Sequence, residues 1–93
     1  MKHNTVVVDG KSVENLTAKQ RKLLNLFLEN LERTVNRGQI LEKIWGGDSV
    51  NPKTVDVHLY NLRRKLHPYG YIIRSEGGGF WSLLSDRISD LSN

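Results

Sequence analysis

The sequence contains no cysteine, which excludes disulfides, thiolate-bound zinc and thiol catalysis. Histidine is scarce, three in 93 residues, so an imidazole metal site has little to build on. No apolar run approaches the roughly 18 residues that cross a bilayer, and no charged-then-apolar leader opens the chain; no membrane partner is expected. Nowhere is a nucleophile paired with a base and an orienting carboxylate, and the expectation is a protein that is not an enzyme and needs no cofactor. Acidic residues are the minority charge, ten against fourteen Lys and Arg, for a formal net of +4. Hydrophobic residues, at 38%, are too many for a disordered polyelectrolyte and too few for a membrane protein. What is left is one small, mildly basic globular domain suited to a reducing, cytoplasmic setting.

The charge is segregated. Between Asn51 and Arg74 stand Lys53, Arg63, Arg64, Lys65 and Arg74 against Asp56 alone, so the whole excess of +4 lies in 24 residues and the rest of the chain nets to zero. Clustered positive charge is a footprint for a polyanion, of which nucleic acid is the commonest a soluble module meets. A solvated helix face without partners is the other reading of the same charges.

Thr5–Val8 is short and β-branched, Asp9-Gly10 is a hairpin turn signal, and Lys11–Asn15 is suited to the return. Thr17 and Gln20 then form a Thr-x-x-Gln capping box. Leu24, Phe27, Leu28 and Leu31 follow at i, i+3, i+4 and i+7, which predicts a first helix from about Ala18 to Glu32. Thr34-Val35 reads as a brief extended link. Asn36 and Gln39 repeat the cap, and Ile40, Leu41, Ile44 and Trp45 give a short second helix its apolar face before Gly46-Gly47 ends it. After a loop over Asp48–Val50, Asn51 at the N-cap and Pro52 in the first position start a third helix, which runs to about His67 and stops at Pro68. Tyr71–Ser75 and Phe80–Leu84 flank Glu76-Gly77-Gly78-Gly79 as a β-hairpin. The expected fold is therefore α+β, a winged helix-turn-helix with short N-terminal antiparallel strands, three helices and a C-terminal hairpin wing. It is expected as a single domain over residues 1–93, with a core over about residues 5–84 and a polar tail over 85–93.

At about 100° per residue, Val55, Leu59, Leu62 and Leu66 fall within about 60° of one another and turn to the core. Opposite them lie Lys53, Val57, Tyr60, Asn61 and Arg64, flanked by Thr54, His58 and Lys65 on one side and by Asp56 and Arg63 on the other. This mixture suits the major groove of DNA, where Asn pairs with adenine, Arg pairs with guanine and Val meets a thymine methyl. Solvation gives no reason for an outward Val57 beside Tyr60; a nucleic-acid groove or a protein partner does. Trp45, at the end of the second helix, reads as core, with its indole N–H within reach of a phosphate at the rim. Gly77-Gly78-Gly79 lack the Gly-x-x-x-x-Gly-Lys-Ser/Thr pattern of a phosphate loop and read as a hairpin tip. His58 and His67 have no ligand set around them, and His58 is better placed to hydrogen-bond a phosphate than to bind a metal.

Four segments, Leu16-Thr17, Gln39–Gly46, Thr54-Val55-Asp56-Val57-His58-Leu59 and Leu62-Arg63-Arg64-Lys65-Leu66, closely resemble the OmpR/PhoB family, the DNA-binding effector domains of bacterial two-component response regulators. The resemblance spans about Leu16 to Leu83, and the Thr-Val-Asp-Val-His-x-x-x-Leu-Arg-x-Lys-Leu run is highly specific. It implies a third helix in the major groove of double-stranded DNA and a wing near the adjacent minor groove. It further implies direct-repeat sites bound by head-to-tail dimers, and a loop before the third helix that touches RNA polymerase. Position by position, Trp45, Lys53, Thr54, His58 and Arg63 match phosphate contacts, while Asp56, Val57 and Asn61 match places that face bases. Tyr60 and Arg64 join the base-facing set, and Lys65 and Arg74 the phosphate-facing one.

Departures from the family pattern matter as much. Many relatives have Arg where Asn61 stands, which moves the preferred base from guanine towards adenine. Tyr60 occupies a frequently basic position. Relatives usually show Val-Arg-Gly-x-Gly-Tyr in the wing, where this chain has Ser75-Glu76-Gly77-Gly78-Gly79-Phe80. A minor groove repels Glu76, and Phe80 lacks the hydroxyl, so a weakened or re-aimed wing is expected, with Arg74 placed to compensate. The stretch before the first helix has room for two strands where relatives often carry a four-stranded sheet. The chain reads either as an excised effector domain or as a natural stand-alone protein. The expectation is sequence-specific binding of double-stranded DNA by a cytoplasmic, nucleoid-associated bacterial transcriptional regulator. Its rival is a winged-helix adaptor whose basic helix meets an acidic partner such as an RNA polymerase subunit.

Overall fold

The computed structural model describes residues 5–47 and 50–85. Strands β1 (Val6–Val8) and β2 (Lys11–Val13) pair antiparallel with Val7 opposite Ser12. The turn between them holds Asp9 and Gly10 at φ 51° and 84°, the two left-handed residues that let a tight turn follow the twist of its strands. Val6, Val8 and Val13 point inward, and Val7 alternates out.

Helix α1 (Ala18–Glu29) starts on the expected capping box. Thr17 Oγ1 accepts from the Gln20 N–H at 3.1 Å, and Gln20 Oε1 accepts from the Thr17 N–H at 2.9 Å. It ends at Glu29 rather than near Glu32. Asn30 Nδ2 donates to the Leu26 carbonyl at 2.7 Å, and a 3-10 turn over Leu31–Arg33 follows with Glu32 and Arg33 at positive φ. Leu31, placed by periodicity on the apolar face, is 87% exposed; burial falls on Leu23, Leu24, Leu26 and Phe27. The segment expected as an extended link is strand β3 (Thr34–Asn36).

Helix α2 (Arg37–Trp45) repeats the capping box through Asn36 and Gln39, at 2.8 and 2.9 Å. Gly46 closes it at φ 63°, and the Gly47 N–H donates to the Leu41 carbonyl at 3.0 Å. Helix α3 (Pro52–Leu66) is capped by Asn51 Oδ1, which accepts from the Lys53 N–H at 2.9 Å, and Arg63, Arg64 and Lys65 crowd the last turn, where the helix dipole favours cations. A 3-10 turn over His67–Tyr69 carries Pro68 and ends the helical run. Strands β4 (Tyr71–Gly77) and β5 (Phe80–Ser85) form the hairpin, and β3 joins its β5 edge, giving an antiparallel sheet in the order β3-β5-β4.

Helices and sheets close on one core in which Phe27, Leu23, Leu24, Val35, Ile40, Val55, Leu62 and Leu66 are fully buried. Strand β4 enters it with Tyr71 and Ile73; from Arg74 onward the strand is exposed, so the hairpin projects past the core. That is the winged helix expected. Ser85, assigned above to the polar tail, completes β5. The rest of that tail, 86–93, and Asp48-Ser49 of the loop before α3 lie outside the described residues.

Asp9 ties three elements together. Arg33 donates to its two carboxylate oxygens at 2.8 and 3.2 Å, and the Tyr71 hydroxyl donates at 2.6 Å. These hydrogen bonds, that of Arg33 foremost, outweigh desolvation and hold the carboxyl at a pKa of about 2, down from 3.8. Between those values the unfolded chain binds more protons than the fold. The stabilisation is therefore complete above about pH 4 and is lost as pH falls through about 2. Urea midpoints measured across that window are expected to fall less steeply for Asp9→Asn than for the parent protein; parallel acid limbs would show that the pairing contributes nothing.

Candidate nucleic-acid interface

The orientation of α3 decides what the surface offers. Val55, Leu59, Leu62 and Leu66 are buried, as their spacing requires, and the opposite sector is open. Val57 is 52% and Tyr60 54% exposed, and Lys53, Asp56, Asn61, Arg63 and Arg64 are exposed around them. Thr54, His58 and Lys65 are half-buried along one margin. An apolar methyl pair, a phenol, a carboxamide and three full cations thus share one helical face.

On the margin near α2, the Trp45 ring meets His58 edge to face, with centroids 5.1 Å apart and planes at 84°. Lys19, on α1, holds its ammonium over the Trp45 ring, 5.4 Å from the ring centre. His58 Nδ1 lies 2.8 Å from the Thr54 carbonyl oxygen, one turn back. A carbonyl only accepts, so Nδ1 carries a proton in this contact and Nε2 is the ring nitrogen left for another partner. Asn51, Lys53, Thr54, Val57 and His58 line an open depression at the start of α3, and Thr17, Gln20, Asn61, Arg64 and Lys65 line a second between α3 and the start of α1. Asn61 and Arg64 therefore share a groove with the capping box of α1. Trp45 is half-buried and packed against the core.

Not every cation expected to face phosphates is free. The Lys65 ammonium donates to the Asn15 carbonyl in the turn before α1. Arg74 Nε donates to Glu76 Oε2 at 3.0 Å. The register of β4 against β5 steps from Ser75–Trp81 to Gly77–Phe80, leaving Glu76 as the extra residue of a bulge. Arg74 and Glu76 line an open depression with Thr34, Ser82 and Leu84 of the sheet and Glu32 of the preceding 3-10 turn. Within the wing the two charges neutralise each other. Gly77, Gly78 and Gly79 form the tip, all at positive φ, and Phe80 is exposed just after it.

Two residues of this surface escaped the sequence reading. Lys19 sits in an unremarkable polar turn of α1 and joins the surface only because α1 packs against α2. Arg37, the first residue of α2, donates to Asp56 Oδ1 at 3.3 Å. Among the described residues no cluster of His, Asp and Glu is fit to hold a metal ion, and no helix is long and apolar enough to cross a membrane.

Residues 10–81 match the family model described as transcriptional regulatory protein, C terminal. The chain is similar to the uncharacterized transcriptional regulatory protein YclJ of Bacillus subtilis, 38% identical over 87 residues that cover 85% of this chain and 37% of that protein. It is likewise similar to the phosphate regulon transcriptional regulatory protein PhoB of Pseudomonas aeruginosa, 42% identical over 62 residues, covering 66% of this chain and 27% of that one. The chain thus spans between about a quarter and little more than a third of the length of these curated relatives. Among solved structures, the DNA-binding domain of Bacillus subtilis CssR superposes with a TM-score of 0.67 at 29% identity, over 86% of this chain and 90% of that one.

The Thr54 contact makes a prediction independent of any ligand. Nitrogen-15 NMR of the neutral His58 ring is expected to show Nδ1 protonated and Nε2 bare; the opposite tautomer would mean that the ring does not bond the carbonyl.

Proposed function

The chain belongs to the transcriptional regulatory protein C-terminal family, and from that premise we propose that it binds double-stranded DNA sequence-specifically, with α3 in the major groove and the hairpin near the minor groove. One observation carries the reading: α3 buries its leucines and leaves Val57, Tyr60, Asn61 and Arg64 open to a partner, with Lys53 and Arg63 beside them. Base edges are the chemistry that such a face complements. Asn61 offers a donor and an acceptor to adenine, Arg64 a two-pronged donor to guanine, and Val57 an apolar contact to a thymine methyl. Around them, Lys53, Thr54, Trp45, His58 and Arg63 take the phosphates, joined by Lys19. A hydrogen bond from His58 to a phosphate needs a proton on Nε2, because a phosphate oxygen only accepts.

Finer expectations belong to the same proposal. Residues 1–93 act as one winged-helix domain of a bacterial response regulator, in the cytoplasm and on the nucleoid. It binds direct repeats as a head-to-tail dimer and touches RNA polymerase through the loop before α3. It catalyses no reaction. The wing contributes less than in relatives, because Arg74 is occupied by Glu76.

Selection of duplexes from a random pool tests this directly, giving base preference and half-site spacing together. Affinity for a selected duplex is expected to fall with log salt at a slope of about 0.9 per phosphate neutralised. Asn61→Ala and Arg64→Ala are each expected to cost about 1–3 kcal/mol and to relax preference at one base position. Equal binding to every duplex would reduce the interaction to non-specific attraction, and no binding at moderate salt would favour an acidic protein partner.

Glu76→Arg removes a repelled charge and releases Arg74. If the wing lies against the duplex, affinity at fixed salt rises and the salt slope steepens by about one phosphate equivalent. Unchanged affinity would place the wing away from the DNA.

A further inference from the structure

Arg37 lies outside every group so far assigned to base or phosphate contacts, yet it bridges the tip half of the wing to the start of the third helix. Its backbone N–H donates to the Gly79 carbonyl at the wing tip, at 2.9 Å. The guanidinium carbon sits 5.0 Å from the centre of the Trp81 ring on β5. One terminal nitrogen donates to the Pro52 carbonyl in the first turn of α3, at 3.2 Å, and the other to Asp56 Oδ1, at 3.3 Å. A single residue at the start of α2 therefore touches the hairpin through backbone and ring, and α3 through a carbonyl and a carboxylate.

The chemistry of these contacts is particular to arginine. A planar fork donates in two directions while its face stacks on an indole; an ammonium, as a compact point charge, does not do both. Both partners of the ion pair are partly exposed, so the pair adds little to stability and its value must be geometric. Asp56 is the one acidic residue between Asn51 and Arg74, and it stands among the residues read as facing the duplex. Left without its partner, that carboxylate repels the backbone it approaches.

We infer that Arg37 is a positioning residue for DNA recognition, which sets the wing against α3 and neutralises Asp56, so that base-reading side chains and hairpin meet the duplex in one fixed relation. This rests on the DNA-binding reading above. It also assigns the wing a role that survives the loss of its own free cation: the hairpin acts as a buttress on α3 through Trp81 and Gly79 even where Arg74 and Glu76 cancel.

The test compares the parent protein with Arg37→Ala, Arg37→Lys and the double variant Arg37→Ala/Asp56→Asn. Each is measured at fixed salt on a duplex selected by the parent protein and on a scrambled duplex of equal length, with circular dichroism to check folding. Arg37→Ala is expected to lower discrimination between the duplexes about tenfold, and Arg37→Lys about fivefold although it keeps the charge. Adding Asp56→Asn to the alanine variant restores affinity for the scrambled duplex without restoring discrimination. A general loss of fold would lower both affinities in proportion, which overturns the proposal. So does a lysine variant that discriminates as the parent does; should the alanine variant not fold, the lysine variant alone decides. A parent protein that selects no duplex at all fails at the earlier step, and takes the DNA reading down with this one.

Discussion

The burial of Val55, Leu59, Leu62 and Leu66 is the constraint on which the rest of the molecule depends. These four side chains fix the rotation of α3 about its axis, and each gains about 1.5–3 kcal/mol by leaving water. A helix turned by one residue, about 100°, would bury Asp56 and expose leucine, so the apolar stripe and the outward face are two consequences of one choice. Asn51 and Pro52 at one end and Pro68 beyond the other set the length of the helix, and packing against α1 and α2 sets its direction. The functional surface is the remainder of that packing solution.

Around this helix, charge is distributed by pairing rather than by number. Of the five cations in the basic stretch, Lys65 is turned to the Asn15 carbonyl and Arg74 to Glu76, while Lys53, Arg63 and Arg64 stand on the open face. The single acid of the stretch, Asp56, is met by Arg37, a cation from outside it. A formal excess of four charges in the sequence becomes a face with three exposed cations, a masked carboxylate and a wing close to neutral. Electrostatic attraction then concentrates at α3, and Lys19 adds to it on the Trp45 side.

Elements with a local cause were legible before any coordinates. Capping boxes at Thr17 and Asn36, the Asp9-Gly10 turn, the Asn51-Pro52 start and the glycine tip are all satisfied within a few residues of chain, and each stands where its residues placed it. Failures occurred where a long-range partner intervened. The helix spacing carried α1 through Leu31, but Asn30 closes the helix and the chain turns through Glu32 and Arg33, where Arg33 reaches Asp9 and β3 begins. Three residues of β3 have no period to read; they are a strand because β5 offers an edge. At the site, the outward face of α3 followed from spacing alone, whereas the occupation of Lys65 and Arg74 and the recruitment of Lys19 and Arg37 did not.

Sequence alone determined the three helices, the two hairpins, their order and the face that α3 turns outward, because periodicity, capping and turn signals act over distances of about one helical turn. The tertiary structure alone decided which charges on that surface remain available. Ion pairs and cation–ring contacts join residues far apart in the chain, from Lys19 to Trp45 and from Arg37 to both Asp56 and Trp81. Such contacts depend on where packed elements bring flexible side chains together, and no local pattern of residues encodes that distance.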